Sequence, residues 1–410
     1  LSMEDAPERH QIRSKIYARA KYTKKLKPEL VKPSQKPKRL KIGYFSADFH
    51  SFPGMYLMAG LLEKHDRTKF EISAFSYGPD INDQMRNRIV NAVDHFIDIK
   101  TADSNTVVNL VRQRNIDIAV HRNGYTKNER TELFASGLAP IQINYLGYPG
   151  TLGADFIDYI VADPVLIPED KRQNYSEQII YLPNTYQPTD NTRIISDKVI
   201  KRKSMGLPDK GFVFCCFNQI YKISPSEFDI WMRLLKSVKG SVLWLLESNK
   251  LAEQNLKRQA EAHGVSAKRI IFAEKVPQAE HLARQRLADL FLDTFNYNAH
   301  TTTSDALWAG LPLVTKLGKG FAARVAGSLL NAVGLPELVT KTEKDYEGLI
   351  LELATNPTKL AKIKEKLKIN RLTQPLFNTE LYTKHLENGY QQAYQNYFEG
   401  NLPQTIIVPK

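Results

Sequence analysis

A chain of 410 residues is too long for one simple core and implies at least two domains. With 42% hydrophobic and 25% charged residues it has the make-up of a globular protein rather than a disordered one, and no apolar run approaches the ~20 residues that span a bilayer. The net charge of +13 does not by itself imply a nucleic-acid partner. Much of it sits in one Lys/Arg run from Arg9 to Lys41, interrupted by Pro33 and Pro37, and beyond Lys41 the charges are mixed in sign. A solvated helix followed by a basic linker accounts for that run better than a DNA-binding arm. No zinc-ligand spacing, RNA-binding signature or basic-aromatic stripe follows it. The two cysteines, Cys215 and Cys216, are adjacent in a strand-like run, a poor position for a structural disulfide, which points to a reducing, cytoplasmic compartment.

In chain order, residues 1–40 read as an extension: a polar helix over about Pro7–Lys27, then a Pro/Lys linker to Leu40. The opening Leu1-Ser2-Met3 reads equally as a cloning remnant or as the edge of a longer protein. From Leu40 the pattern becomes an alternation. Strands are expected at Leu40–Asp48, Phe70–Tyr77, His95–Ile99, Ile116–Val120, Ile141–Leu146, Ile157–Val161 and Gln178–Leu182. Helices at Tyr56–Lys64, Asp83–Ala92, Thr106–Gln113 and Thr131–Ser136 separate most of them. This β/α spacing implies parallel βαβ units and a first lobe over 41–190.

A polar connector, Thr185–Asp209, leads to a second series. Its strands are expected at Phe212–Phe217, Ser241–Leu246, Arg269–Phe272, Leu290–Asp293 and Leu313–Thr315. Its helices are expected at Pro225–Leu235, Leu251–His263, Ala279–Arg286, Phe321–Leu330, Lys344–Thr355 and Thr358–Arg371. This lobe is assigned to 191–385, and a Tyr-rich amphipathic helix, Asn378–Glu399, closes the chain within a tail assigned to 386–410. The fold class is therefore α/β: two facing Rossmann-like lobes with an N-terminal helical extension and a ligand cleft at the carboxyl ends of the strands.

The most informative stretch runs from Asp293 to Pro312. A strand end is followed by a polar loop, and four hydroxyl residues, Thr301–Ser304, open a helix that closes at Gly310. A helix start of that kind offers free N–H groups and a positive dipole end to an anion such as phosphate. A plain helix cap by Thr302 or Thr303 is the competing interpretation. Neither lobe carries G-x-G-x-x-G after its first strand, and G-x-x-x-x-G-K-[ST] is absent, so a dinucleotide oxidoreductase or P-loop enzyme is not indicated.

The run Cys215-Cys-Phe-Asn-Gln-Ile-Tyr-Lys222 resembles the catalytic region of the O-linked N-acetylglucosamine transferase family, which includes Spindly-like O-fucosyltransferases and bacterial cytoplasmic N-glycosyltransferases. Colinear blocks from about Lys41 to Gly400 extend the resemblance. They include Asn123-Gly-Tyr-Thr-Lys127, Leu146-Gly-Tyr-Pro-Gly-Thr151, Ser241-Val-Leu-Trp-Leu-Leu246, His300-Thr-Thr, Asp305-Ala-Leu-Trp-Ala-Gly-Leu-Pro312 and Pro375-Leu-Phe-Asn378. The resemblance implies a two-lobed GT-B architecture and a metal-independent inverting glycosyltransferase with no cofactor beyond its nucleotide-sugar donor. In agreement, no D-x-D stands at a strand end where Mg²⁺ could meet a diphosphate.

By the same resemblance, Lys222 places a point charge on the leaving diphosphate and Gln219 contacts phosphate or sugar. His300, Thr301 and Thr302 form the phosphate-binding helix terminus, and Asp305 contacts the ribose. His281 and Arg284, one helical turn apart, recognise the nucleoside while the backbone at Val276 reads the base edge. A surface lysine and a solvent-exposed His/Arg pair are the unassisted readings of these residues. Two positions depart from the family pattern. Gln278 stands where a ribose-contacting lysine is usual, and Phe52, in Ser51-Phe52-Pro53, stands where a histidine considered as a catalytic base is usual. His121, at a first-lobe strand end, is the substitute candidate, with a structural role as its alternative; His50 ranks below it.

The expected reaction is transfer of N-acetylglucosamine from its UDP donor to Ser/Thr of a protein or peptide acceptor, with inversion. UDP-glucose to Asn and GDP-fucose to Ser/Thr are variants within the family. An impaired nucleotide-sugar-binding scaffold is the rival from another class. Neither nucleic acid nor membrane is an expected partner. The family often presents acceptors through a helical-repeat domain, and these 410 residues show no such repeat.

Overall fold

The computed structural model describes residues 1–22 and 34–410. It forms two compact units: Ala6–Asn191 with Pro375–Lys410, and Thr192–Gln374 with Leu1–Asp5.

In the first unit, helix α1 spans Pro7–Lys21 of the expected Pro7–Lys27. The remainder of that expected helix and the start of the basic linker, 23–33, lie outside the described residues. Then come β1 (Leu40–Ser46), α2 (Met55–Lys64), β2 (Phe70–Ser76), α3 (Gln84–Ala92), β3 (His95–Asp98), α4 (Ser104–Gln113), β4 (Ile118–His121), α5 (Thr131–Ala135), β5 (Ile141–Asn144), β6 (Tyr159–Ala162) and β7 (Gln178–Tyr181). The strands form one parallel sheet in the order C-terminal strand, β7, β6, β5, β4, β1, β2, β3. Apolar residues face both sides of it. Ile42 and Tyr44 belong to one buried cluster and Phe45 to the other, as the period of two in a doubly covered strand requires.

The C-terminal segment differs from its expected assignment. The expected boundaries assign residues 375–385 to the second lobe and 386–410 to a separate tail, yet all of them belong to the first unit. The C-terminal helix Thr379–Glu399 buries Tyr382, Leu386, Tyr390 and Tyr394, a four-residue spacing that puts them on one face. The Tyr382 hydroxyl lies 2.6 Å from that of Tyr145, Tyr390 meets Tyr44 at 3.3 Å, and Glu387 meets His65 at 2.9 Å. The strand Ile406–Ile407 then adds to the sheet beside β7. Amphipathicity identifies a packing face; it does not say which sheet receives it.

Helix α1 packs on this unit. Ala18 and Tyr22 bury against the cluster containing Phe156, and the Lys21 ammonium and Tyr22 hydroxyl both reach the Glu129 carboxylate at 2.7 Å.

The second unit comprises β8 (Val213–Cys216), α6 (Pro225–Ser237), β9 (Val242–Leu246), α7 (Lys250–Ala262), β10 (Ile270–Ala273), α8 (Gln278–Arg284), β11 (Leu290–Leu292), α9 (Thr301–Ala309), β12 (Leu313–Lys316), α10 (Val325–Ala332), β13 (Val339–Thr340), α11 (Glu343–Thr355) and α12 (Pro357–Thr373). Its parallel sheet has the order β10, β9, β8, β11, β12, β13. The strand order reverses between β8 and β11, so the loops after these two strands flank the switch point where doubly wound sheets take up ligands. The two-residue β13 was not anticipated: it is too short for any periodicity to register.

Among the described residues no helix is long and apolar enough to cross a membrane.

Candidate active site

The loop from β11 to α9 is built around Asp293, which is fully buried at the strand's carboxyl end. Its Oδ1 accepts from the backbone N–H groups of Thr294 (2.9 Å) and Ala299 (2.6 Å), and its Oδ2 accepts from the Thr315 hydroxyl at 2.7 Å. One carboxylate thus ties the loop's start to its end. Burial pushes its pKa up to about 7, against these hydrogen bonds and the nearby Lys222 charge. The Asn298 side chain donates to the Thr294 carbonyl at 2.7 Å, and the Thr294 hydroxyl donates to the Tyr297 carbonyl at 2.6 Å.

Helix α9 starts from His300 with no side-chain cap. The hydroxyls expected to cap it point elsewhere: Thr302 donates to the Asn218 side-chain oxygen at 2.6 Å and Thr303 to the Ala299 carbonyl at 2.7 Å. Without a capping side chain, the first turn presents its positive end to an anion. The helix closes at Gly310, whose φ of +86° is the left-handed conformation that favours glycine.

Lys222 comes from the loop after β8, at the end of a short 3-10 turn that follows the exposed Gln219. Its ammonium donates to the Asn298 carbonyl at 3.1 Å and sits 3.8 Å from the centroid of the Tyr297 ring. Burial lowers its pKa to about 8, opposed by Asp293. The His300 ring stacks on Tyr297 with centroids 4.7 Å apart, and its Nε2 lies 3.0 Å from the Ala322 carbonyl. Burial, reinforced by the Lys222 charge, keeps that imidazole neutral, so Nε2 donates and Nδ1 is left as an acceptor. Lys222 and the His300–Thr302 turn, 78 or more positions apart in the chain, therefore share one wall.

The nucleoside candidates form a second group at α8. Arg284 is buried with its guanidinium over the Phe217 and Trp244 rings, and its Nε and Nη2 approach the His281 Nδ1 at 3.1 and 2.8 Å. Burial lowers His281 to about 4 and Arg284 to about 10. The half-buried His281 is thereby held neutral with its ring proton on Nε2. Val276, half-buried, lies in the loop before α8. Gln278, at the first position of that helix, donates to Asp305 Oδ2 at 3.1 Å.

Asp305 has a second partner that sequence reasoning missed. The Arg193 guanidinium pairs with its Oδ1 at 2.5 Å and reaches the Ser304 hydroxyl at 3.1 Å, in a cluster where both charges are nearly excluded from water. Arg193 lies in the connector, 112 positions from its partner, and carried no local signal. Arg193→Met is expected to raise the donor KM about tenfold and to cost about 3 kcal/mol of stability by leaving a buried carboxylate short of its cation. Donor saturation kinetics and a thermal melt check this. An unchanged KM would remove Arg193 from the site.

A cavity of about 380 Å³, lined by Arg202, Phe212, Asp289 and Lys364 among others, opens at the amino ends of β8 and β11 and contains none of the candidate residues.

The profile of glycosyl transferase family 41 matches residues 12–202 and 189–386. The chain belongs to glycosyl transferase family 41. This family 41 chain is 38% identical over 377 residues to a probable UDP-N-acetylglucosamine–peptide N-acetylglucosaminyltransferase, SEC, of Arabidopsis thaliana, a match covering 90% of the chain and 39% of the relative. It is 29% identical over 480 aligned positions to the UDP-N-acetylglucosamine–peptide N-acetylglucosaminyltransferase of Caenorhabditis elegans, covering 89% and 42%. A solved structure of a Thermobaculum terrenum O-GlcNAc transferase mutant superposes with a TM-score of 0.89 at 29% identity, over 96% of the chain and 75% of that structure. The lobes are thus those of a GT-B glycosyltransferase. The chain spans about two fifths of the length of the two curated relatives.

In the first lobe of the family 41 chain, the ends of β1 and β4 carry a buried polar network. Arg122 donates to the Ser46 hydroxyl (3.2 Å) and the Asp48 carboxylate (3.1 Å), and Asn123 bridges Asp48 and the Ala47 N–H. A Cβ at Gly54 would lie 2.3 Å from the Arg122 guanidinium, so a larger residue there would force that side chain to shift. Phe52 is 40% exposed, with the half-buried His50 ring 5.8 Å from it, edge to face.

His121 does not meet the requirements of the base expected there. It is fully buried, stacked on Phe134 at 4.3 Å, and its Nε2 is 2.8 Å from the Thr131 hydroxyl. Burial lowers its pKa to about 4. Its position in β4 turns it into the face covered by α5, so it serves the core. A position at the carboxyl end of a strand is visible in the sequence; the face on which the side chain emerges is not.

Proposed function

We propose that this chain is the catalytic region of an inverting protein glycosyltransferase that moves N-acetylglucosamine from UDP-N-acetylglucosamine to Ser/Thr hydroxyls of protein acceptors. The observation that carries this reading is the convergence of Lys222 and the uncapped His300–Thr302 turn at the β8/β11 switch point, with Asp305 one turn further along α9. It supplies a cation, N–H donors and a carboxylate for diphosphate and ribose. The acceptor oxygen attacks the anomeric carbon as the bond to the β-phosphate oxygen breaks. Lys222 and the α9 terminus stabilise the charge that develops on the departing UDP without a metal or other cofactor. His281, Arg284 and the Val276 backbone hold the nucleoside, Gln219 lies beside the phosphates, and Gln278 acts through Asp305. With Phe52 unable to take a proton and His121 enclosed, the acceptor's proton passes to the leaving diphosphate. Base catalysis typically contributes ~10²–10⁴-fold, so its loss leaves measurable turnover.

Intact-mass analysis of candidate acceptor proteins incubated with UDP-N-acetylglucosamine, UDP-glucose and GDP-fucose tests the reading. A hexosamine increment supports it, and a hexose or deoxyhexose increment reassigns the donor. Absence of transfer and of donor hydrolysis with all three supports the scaffold reading, which Phe52 specifically favours.

Lys222 is protonated below its pKa of about 8, so its charge is present at lower pH and lost above. The kcat/KM profile is expected to fall with loss of one proton near pH 8, whereas kcat, read in the donor complex where the diphosphate retains that proton, holds to higher pH. Coincident alkaline limbs would count against Lys222 as the diphosphate cation.

A further inference from the structure

We infer that Tyr297 is a positioning residue of the donor site, its aromatic ring holding the Lys222 ammonium and the His300 imidazole together for the diphosphate. This rests on the donor-site reading above and adds a residue to it. Lys222 Nζ lies 3.8 Å from the ring centroid, inside the ~6 Å range of cation–π attraction, which is strongest where water is excluded. His300 stacks on the same ring at 4.7 Å with the planes 27° apart. The backbone fixes the ring in turn: the Tyr297 carbonyl accepts from Thr294, and on either side Asp293 closes the loop through the N–H groups of Thr294 and Ala299.

The arrangement meets a specific need. A lysine ammonium is a freely rotating point charge on a four-carbon stem, and without a fixed partner it would spend its time among many rotamers. A carboxylate partner would compete with the diphosphate for it. A ring face attracts the cation without neutralising it, and the Asn298 carbonyl at 3.1 Å sets its direction. The titratable groups facing Lys222 are Asp293 at the end of β11, Cys216 at the end of β8 and His300 at the start of α9. Burial pushes the Cys216 thiol up and the His300 imidazole down, leaving both neutral. Apart from Asp293, already engaged by its own donors, the ring and the Asn298 carbonyl are the partners that favour the charged lysine.

The test compares Tyr297→Phe, which keeps both ring contacts, with Tyr297→Leu, which keeps apolar bulk but removes the ring face. Ionisation of Lys222 is read in the intact chain from the pH dependence of its labelling by acetic anhydride, quantified by mass spectrometry. The Leu variant is expected to titrate at lower pH by about one unit, and to lose about tenfold in kcat at pH 8, with Phe close to the parent chain in both. Equal titration of Lys222 in the Leu and Phe variants overturns the inference whatever the activity. Failure of the parent chain to transfer any sugar sinks the functional reading instead, and the labelling still decides the role of Tyr297. If the Leu variant does not fold, a fluorinated phenylalanine series at 297 weakens the ring face at nearly constant shape. A stepwise fall of the Lys222 titration with fluorine number then supports the inference, and a constant titration overturns it.

Discussion

Lys222→Ala is expected to lower kcat by about 10²–10³-fold, the range found when one donor to a developing charge is removed from a water-poor site. The Lys222 charge stands beside the uncapped start of α9, where leaving-group charge would gather, so its loss should weigh on the transition state more than on the ground state. Calorimetric binding of UDP should therefore weaken much less than kcat falls. Lys222→Arg is expected to recover little, because a planar guanidinium cannot take the place of an ammonium held between the Tyr297 ring and the Asn298 carbonyl. A kcat within fivefold of the parent chain in Lys222→Ala would refute the diphosphate assignment.

Asp293→Ala is expected to cost about 3–4 kcal/mol of stability, since the buried donors Thr294 N–H, Ala299 N–H and Thr315 hydroxyl lose one shared acceptor. Denaturant titration measures this, and a loss under 1 kcal/mol would contradict the role given to the carboxylate. Asp293→Asn adds a test of sign. Burial raises the folded-state pKa from 3.8 to about 7, so between these values the folded chain binds more protons than the unfolded one. The Asp293 contribution is thus fully present below about pH 4 and is lost as pH rises through 7. Wild-type stability should decline relative to Asp293→Asn across that window. A constant difference would mean that Asp293 keeps one charge state throughout.

Much of the fold was legible because local rules act over short distances. Asp83, Asp103 and Asn249 cap α3, α4 and α7, and Gly310 ends α9 where only glycine readily takes a left-handed turn. Runs such as Val213–Cys216 and Val242–Leu246, apolar at every position, fall within expected strands, and burial along nearly their whole length fits strands covered on both faces. What escaped was partnership at a distance. Nothing near Arg193 announces Asp305, and nothing in Thr379–Glu399 states that its tyrosines will meet Tyr44 and Tyr145 of the other end of the chain.

The same division runs through the candidate site. Residue order alone set the strand ends, the hydroxyl-rich helix start after Asp293 and the lysine after β8, because hydrogen bonding and dihedral preference are decided within a few residues. Tertiary structure alone decided which side chains those ends deliver to a common wall. The strand order β9–β8–β11–β12 brings Lys222 beside Tyr297 and His300, while the pleat of β4 turns His121 into the core. Both outcomes depend on which strands are neighbours and which face a layer of helices covers, and these are properties of the packed sheet.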